Sequence, residues 1–289
     1  MNLSILTYPL RYARIGGIVL IVAFLQACAA TSPDVKINTS FSGPPANEEP
    51  TVTAHPTDPN NMIAGAHERF REGDFMLSRV IPYYTTDNGA QWRKANPLLI
   101  PCEPGVATSS DPWASGNAKE YQFGFIAICR NRDTAKPIGW MRAAYATSND
   151  KGASWPLITI VSPEAGHADK IHVTTGTHAT YVSYVYFGMS EIRVFASATA
   201  TTAIVGFGYG PATVETGESS PTTYTAYIEN GNRLRVVPVV WSNPVRIGAS
   251  TDLGAVQGYT GGPSACDGAQ LTAPGTRLRH IPIPQITRG

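Results

Sequence analysis

The feature that most constrains this chain is a tight turn that occurs twice. "TTDNGAQW" covers residues 85–92 and "SNDKGASW" covers residues 148–155, so that their aspartates lie 150 − 87 = 63 residues apart. The defining positions are Thr85, Asp87, Gly89 and Trp92 in the first copy, and Ser148, Asp150, Gly152 and Trp155 in the second. The aspartate can accept backbone N–H bonds within its own loop, the glycine permits a positive φ, and the tryptophan can bury a large ring. The pattern predicts a locked turn with a structural role and no part in catalysis.

The repetition extends beyond the turn itself. "EPTVTAH" begins at Glu49 and "DPWASGN" begins at Asp111, and each places an acid and a proline before a short strand. The separation from this acid to the turn aspartate is 87 − 49 = 38 residues in the first unit and 150 − 111 = 39 in the second. Internal repetition at this scale is typical of solenoids and propellers.

Each unit is predicted to contain four strands. In the second unit they are residues 112–115, 121–129, 139–147 and 155–161, supported by the alternation in "YQFGFIAIC" and "WMRAAYATS". A four-stranded antiparallel sheet in each repeat is a propeller blade. Looser units follow, and "QGYTGGPS" resembles the opening of a fifth. The sequence predicts an all-β protein with about four blades and a fragment over residues 49–263, followed by an irregular tail over 264–289.

The repeated pattern Ser/Thr-x-Asp-x-Gly-x-x-Trp resembles the Asp box, or BNR repeat, of sialidases and related β-propellers. The resemblance implies a sialidase-like propeller, and because the propellers of that family have six blades, this chain is expected to be truncated. It also implies a possible exo-α-sialidase chemistry, with an arginine clamp, an aspartic acid as general acid/base, and a tyrosine nucleophile assisted by a glutamate. The family's first arginine belongs to a Phe/Tyr-Arg-Ile-Pro motif. Here "SRVIP" instead places Arg79 one residue early and in a third strand.

Weak catalytic candidates lie in "HERFREGDF", where Arg69, Arg71 and Asp74 fall between the second and third strands of the first unit. That turn opens on the propeller face where ligands usually bind, although a charged loop is usually only solvated.

A second series of acids, Glu49, Asp111 and Asp169, recurs before the first strand of each unit. These acids could surround one mouth of the channel. Turn capping before a strand is the preferred interpretation.

The first residues indicate export. Residues 1–14 are basic, residues 15–25 are apolar, and Leu-Gln-Ala-Cys at 25–28 resembles a bacterial lipobox. The sequence therefore predicts a signal peptide over 1–27, lipidation of Cys28, and a flexible tether over 28–48. The predicted location is the cell envelope, anchored by lipid and, by resemblance, in the outer membrane. Ordinary cleavage just after the cysteine, which would give a secreted protein without an anchor, stays open.

Charge and cysteine content exclude several classes of function. After removal of the signal, 22 − 2 = 20 bases face 21 acids, and no basic run suggests nucleic-acid binding. Cys102 and Cys129 are the disulfide candidates in an oxidising compartment, which leaves Cys266 unpaired. No paired CxxC or HExxH spacing indicates a metal, and no cofactor is expected.

Three functions are compatible with these features. The favoured one is a surface lipoprotein whose propeller binds or scaffolds a glycan or protein ligand. The alternatives are an exo-α-sialidase or related glycoside hydrolase, and a truncated fragment without function of its own. The missing arginine motif and the short length favour the first.

Overall fold

The computed structural model describes residues 50–72, 75–132, 138–162, 167–216, 221–229 and 233–255. Several predictions fall outside these ranges: the signal segment 1–27, Cys28, the tether 28–48, Asp74, Cys266, and the tail 264–289. The described chain consists of strands and connections and contains no helix, so no helix in it could span a membrane. The strands are β1 (Thr51–His55), β2 (Asp58–Glu72), β3 (Phe75–Thr85), β4 (Arg93–Lys94), β5 (Val106–Gly116), β6 (Tyr121–Arg130), β7 (Trp140–Ser148), β8 (Leu157–Ile160), β9 (His167–Thr175), β10 (Thr180–Phe187), β11 (Glu191–Ala196), β12 (Thr201–Thr216), β13 (Thr222–Glu229), β14 (Arg233–Val240), β15 (Arg246–Ile247) and β16 (Thr251–Ala255).

Consecutive strands pair antiparallel in groups of four, which we call blades. Blade 1 is the sheet β1-β2-β3-β4, and blade 2 has the order β5-β6-β7-β8. Blade 3 contains β9, β10, β11 and the first half of β12, whereas blade 4 contains the second half of β12 with β13, β14 and β15. The first strand of each blade is its inner strand. The predicted fold class, all-β with successive four-stranded antiparallel blades, is confirmed.

Two strands are longer than the sequence pattern predicts. β12 runs for 16 residues, and it pairs with β11 through Thr201–Phe207 before pairing with β13 through Gly208–Thr216. One uninterrupted strand thus ends blade 3 and begins blade 4. β5 starts at Val106, whereas its predicted start is residue 112, because the polar segment before Asp111 pairs with the last part of β6.

The hydrophobic core lies between neighbouring blades. Ile63 and Leu98 of blade 1 pack against Phe123 and Trp155 of blade 2. A second cluster joins blades 2 and 3, and a third joins blades 3 and 4. Because blade 2 is covered on both sides, nine consecutive residues of β6 are buried, and its sequence is almost continuously apolar. Blade 2 is therefore held between blade 1 and blade 3 by the burial of both its faces.

Candidate functional site

The charged candidates Arg69 and Arg71 lie near the end of β2, where the chain turns into β3. They are separated by one residue and so project from the same side of the strand, and both are exposed. Their partners across the sheet are Ser78 and Met76. Since Asp74 lies outside the described residues, the structure places only the two arginines of this predicted group.

Glu68, which precedes these arginines in β2, is buried. Its carboxylate accepts a hydrogen bond from the Tyr83 hydroxyl at 2.6 Å and one from the Lys94 ammonium at 2.7 Å. The guanidinium of Arg79 lies 3.9 Å from the same carboxylate and 4.9 Å from the centre of the Phe70 ring. These contacts join β2, β3 and β4. Arg79 therefore belongs to the network of side chains that stabilises blade 1.

Two tyrosine–glutamate pairs match the residue types that the sialidase resemblance assigns to the nucleophile. Tyr83 donates to Glu68, and Tyr181 donates to Glu215 at 2.9 Å. Both tyrosines are buried, with 4% and 0% exposure. Burial, followed by the adjacent carboxylate, raises the pKa of each phenol above its ordinary value. A nucleophilic tyrosine needs access to substrate and a lowered pKa, so neither pair provides one.

The inner strands of blades 2, 3 and 4 share a bulge at the same position. In each blade, two residues of the inner strand stand opposite one residue of its neighbour. The first bulge residue has a positive φ in all three cases: 52° at Asp111, 52° at Lys170 and 58° at Gly210. A side chain in this conformation costs about 1 kcal/mol relative to glycine. Blades 2 and 3 therefore place charged residues where blade 4 has the residue that the backbone prefers.

These bulges bring three charged side chains together between blades 2 and 3. The Lys170 ammonium lies 3.4 Å from the Asp111 carboxylate and 3.9 Å from that of Asp169. The side chains are 16%, 16% and 20% exposed for Lys170, Asp111 and Asp169, so a ligand could reach them from solvent. We call this group the bulge cluster.

The two carboxyl groups of the bulge cluster share a proton near neutral pH. Burial, followed by the charge of Asp111, raises the pKa of Asp169 to about 7, although Lys170 acts in the opposite direction. A hydrogen bond with Asp111 adds to the increase. The pair titrates jointly, because ionising one carboxyl hinders ionisation of the other. A carboxylic acid beside a carboxylate and an ammonium can both donate protons to a ligand and accept them.

Histidines connect the bulge cluster to the blades on either side. Nε2 of His67, on β2, accepts a hydrogen bond from the backbone N–H of Asp111 at 2.6 Å. The His172 ring packs on Trp113 at 4.4 Å between centroids, and its Nδ1 accepts from Thr213 N–H at 3.4 Å. Burial lowers the pKa of His172 to about 3, which keeps the ring neutral. His67 of blade 1 thus holds the bulge of blade 2, and the neutral ring of His172 joins blade 3 to blades 2 and 4.

The sequence interpretation of the recurring acids needs two corrections. Lys170, not Asp169, occupies the position equivalent to Asp111, because each is the first residue of the bulge in its inner strand. Neither aspartate caps a turn before a strand, since each lies within its inner strand. Glu49 lies outside the described residues. His67 and Lys170 carry no recognisable sequence signal, although alignment of the third unit to the bulge could have identified Lys170.

The turn at Asp87 is held by bonds within its own loop. The Thr85 hydroxyl donates to the Asp87 carboxylate at 2.6 Å and accepts from Gly89 N–H at 3.2 Å, while the carboxylate accepts from Gln91 N–H at 2.9 Å. Gly89 has a φ of 83°. Hydrogen bonds from Thr85 and then from Gln91 lower the pKa of Asp87.

The turn at Asp150 has the same pattern. Ser148 Oγ donates to Asp150 at 2.8 Å and accepts from Gly152 N–H at 2.9 Å, and Ser154 N–H donates to Asp150 at 2.9 Å. Partial burial would raise the pKa of Asp150, but the bonds from Ser154 and Ser148 outweigh it and lower the pKa. Trp155 is buried and donates from Nε1 to Gly152 O at 3.1 Å. The polar groups of both turns are engaged locally, which suits a structural role.

Two further features lie away from the bulge cluster. A disulfide joins Cys102, in the connection between blades 1 and 2, to Cys129 near the end of β6. A cavity of about 420 Å³ lies where the inner strands of blades 2, 3 and 4 end, and Lys119, Thr175 and Glu215 are among its lining residues. Glu215 already accepts bonds from Tyr181 and from Nδ1 of His178 at 2.9 Å, so its carboxylate is engaged within the protein.

Comparison with solved structures finds sialidases. A leech intramolecular trans-sialidase is 13% identical over 79% of this chain and 54% of that one, with a TM-score of 0.49. The NanB sialidase of Streptococcus pneumoniae is 10% identical over 77% of this chain and 54% of its own, also at 0.49. A mutant Trypanosoma rangeli sialidase displaying trans-sialidase activity is 14% identical over 67% of this chain and 36% of its own, at 0.44.

This chain therefore spans between about a third and a half of the lengths of these sialidases. No family model matches the sequence, and no curated protein matches it either. The strand pairing defines the blades. The chemistry of the site depends on its own side chains.

Proposed function

We propose that this chain is an exported, lipid-anchored binding protein whose Asp-box blades bind a glycan at the bulge cluster. The observation that carries the proposal is the meeting of Asp111, Asp169 and Lys170 from two adjacent inner strands, within reach of solvent. Sugar hydroxyls are recognised by groups that donate and accept hydrogen bonds in fixed positions, and the cluster offers both kinds. Export and the anchor at Cys28 are supported by the sequence of residues 1–28.

The backbone supplies a second argument for a binding role. Asp111 and Lys170 occupy left-handed positions that Gly210 fills in blade 4 at lower backbone cost. Strained residues persist where the surrounding structure maintains them, often at ligand sites. A protein ligand that offers hydroxyl or amide groups would use the same donors and acceptors, and it is the competing outcome of the test.

Binding is tested with the protein on a glycan array, followed by calorimetry with each positive glycan. Asp111→Asn and Asp169→Asn are expected to weaken binding at least about tenfold, because each removes a charge-assisted hydrogen bond. Asp252→Asn is the matched control, since Asp252 forms an ion pair with Arg233 at the edge of blade 4. Binding to a protein but to no glycan would favour the competing ligand class. Equal affinities for all variants would contradict a site at the cluster.

A second candidate function is glycoside hydrolysis, and one observation favours it. Asp169, whose pKa is raised to about 7, has the property required of a general acid at neutral pH. Asp111 is hydrogen-bonded to it and so lies closer than the about 5 Å or more that separates the two carboxyl groups of a glycosidase, which means that the base or nucleophile would come from another residue or from water. Fluorogenic sialosides and neutral glycosides test this directly. Acid catalysis by Asp169 predicts turnover that falls about a hundredfold or more in Asp169→Asn. Binding without turnover by the unmodified protein would leave the binding function alone.

A further inference from the structure

Blade 3 carries a projecting apolar surface at the turn between β10 and β11. Its members are Phe187, Met189, Phe207 and Tyr209, with exposures of 48%, 62%, 56% and 37%, and we call them the apolar tip. Phe207 pairs with Glu191, and Gly208 N–H donates to Ser190 O at 2.8 Å, so this part of β12 lies beside the turn. A Cβ atom added at Gly188 would meet no atom within 4 Å. The turn therefore faces open space at Gly188, and the strand register places Phe187 and Phe207 on opposite faces of the sheet on either side of it.

Charged residues next to the apolar tip are paired: Arg193 with Glu191, and Glu229, which lies opposite Gly208, with Arg235. Arg193 donates from Nε to Glu191 at 2.9 Å, and its Nη2 lies 2.7 Å from the same carboxylate. The guanidinium also lies over the Tyr186 ring at 4.0 Å from its centre. Moving an unpaired charge out of water would oppose insertion into an apolar phase, whereas a paired and stacked guanidinium reduces that cost.

We propose that the apolar tip docks into the surface of a lipid bilayer. Tyr209 is an aromatic side chain with one polar end, which suits the boundary between lipid and water. Phe187, Met189 and Phe207 add exposed apolar surface around the turn. A protein partner would need a complementary groove, whereas a bilayer accepts a convex tip without one. Exposed apolar surface of this kind commonly marks an interaction site.

The N-terminal sequence supports a bilayer as the occupant. The predicted tether, residues 28–48, has 48 − 28 + 1 = 21 residues, and a flexible chain of that length spans roughly 25 Å on average. This step rests on the anchor of the proposed function: lipidation at Cys28 would hold the protein at a membrane, so a weak contact of the tip with lipid would form at high effective concentration. Docking would fix the orientation of the blades, which the tether alone leaves free. The inference is independent of what the bulge cluster binds.

The test introduces a tryptophan as a depth probe in the full chain on phosphatidylcholine–phosphatidylglycerol vesicles containing brominated lipid. Phe187→Trp is the probe variant. Val52→Trp is its matched control, because Val52 is 64% exposed and lies on blade 1, away from the tip. Emission is read as the difference from the unmodified protein, which has five tryptophans. Docking predicts a blue shift and loss of the added emission for Phe187→Trp and neither change for Val52→Trp.

A second measurement removes the apolar contact. Phe187→Ser combined with Met189→Ser is expected to lower vesicle partitioning by about a hundredfold, because the two changes remove apolar side chains that would be buried in the bilayer. Val52→Ser, at a residue that is 64% exposed on blade 1, is the control and should partition as the unmodified protein does. Equal quenching of both tryptophan probes, no quenching of either, or unchanged partitioning of the double variant with retained fold would each overturn the proposal.

Discussion

The turn aspartates and the inner-strand aspartates of this protein have opposite electrostatics. Asp87 and Asp150 are surrounded by donors from their own loops, and these hydrogen bonds lower the pKa of each. Asp169 lies beside Asp111 in a more buried place, which raises its pKa to about 7. The repeated motif visible in the sequence therefore stabilises the blades. The carboxyl groups suited to binding lie in the inner strands, where their charges are less well compensated.

The largest expected effect comes from Gly152→Ala in the second turn. A Cβ atom there would lie 2.5 Å from Ile63 Cγ2 and 3.0 Å from Tyr84 Cβ, both in blade 1, and the residue has a φ of 90°. Backbone strain and overpacking together should lower the free energy of unfolding by about 3 kcal/mol. Chemical denaturation with unchanged m-value would measure it.

Gly89→Ala in the first turn is the matched control for that substitution. Its φ is similar at 83°, but the nearest atom to the new Cβ would be the flexible Met62 Cε at 3.3 Å. Only the backbone cost of about 1 kcal/mol should remain. Equal losses in the two variants would show that contact between the second turn and blade 1 contributes nothing.

The difference between these turns shows what sequence can and cannot predict. The loop bonds at Asp87 and Asp150 depend on residues within four positions, so a local motif suffices to predict them. The contact of Gly152 with Ile63 depends on how two blades stack, and no local pattern encodes it.

The bulge cluster could not be predicted from the sequence for a related reason. A bulge shifts the register by one residue, and only pairing with the neighbouring strand shows that Lys170 matches Asp111. The shared strand β12 was missed because periodicity does not indicate that a strand changes partner midway. The sequence therefore predicts the fold class and the turns. The candidate site depends on pairing between distant strands, which the sequence pattern does not show.

Loss of a turn aspartate should destabilise the protein more than loss of an inner-strand aspartate. Asp150→Ala removes the acceptor for Ser148 Oγ and Ser154 N–H, and it should lower the free energy of unfolding by about 1–2 kcal/mol, since water can replace part of what is lost. Asp111→Gly should change it by less than about 0.5 kcal/mol, because a glycine relieves the left-handed backbone while the pair with Lys170 is lost. Urea denaturation measures both. A larger loss for Asp111→Gly would mean that the inner-strand carboxylate is mainly structural.

The pH dependence of stability separates the two regions, because Asp169 should alter it in the direction opposite to the turn aspartates. Because the pKa of Asp169 is about 7 in the folded protein and near 4 when unfolded, the folded state binds more protons between these values. Its contribution to the unfolding free energy therefore falls as the pH rises from about 4 to about 7. For Asp87 and Asp150 the pKa is lowered on folding, so their contribution is present above pH 4 and is lost on acidification.

Asp169→Asn isolates that contribution. The variant should gain stability relative to the unmodified protein as the pH rises from 5 to 8, by about 1 kcal/mol after allowance for screening by solvent. Thermal unfolding in matched buffers at several pH values measures the difference, and Asp252→Asn serves as a control because the pKa of Asp252 is lowered, chiefly by Arg233. A difference that is constant across this range would mean that Asp169 is ionised throughout. The carboxyl pair would then hold no shared proton and could not supply an acid to a ligand at neutral pH.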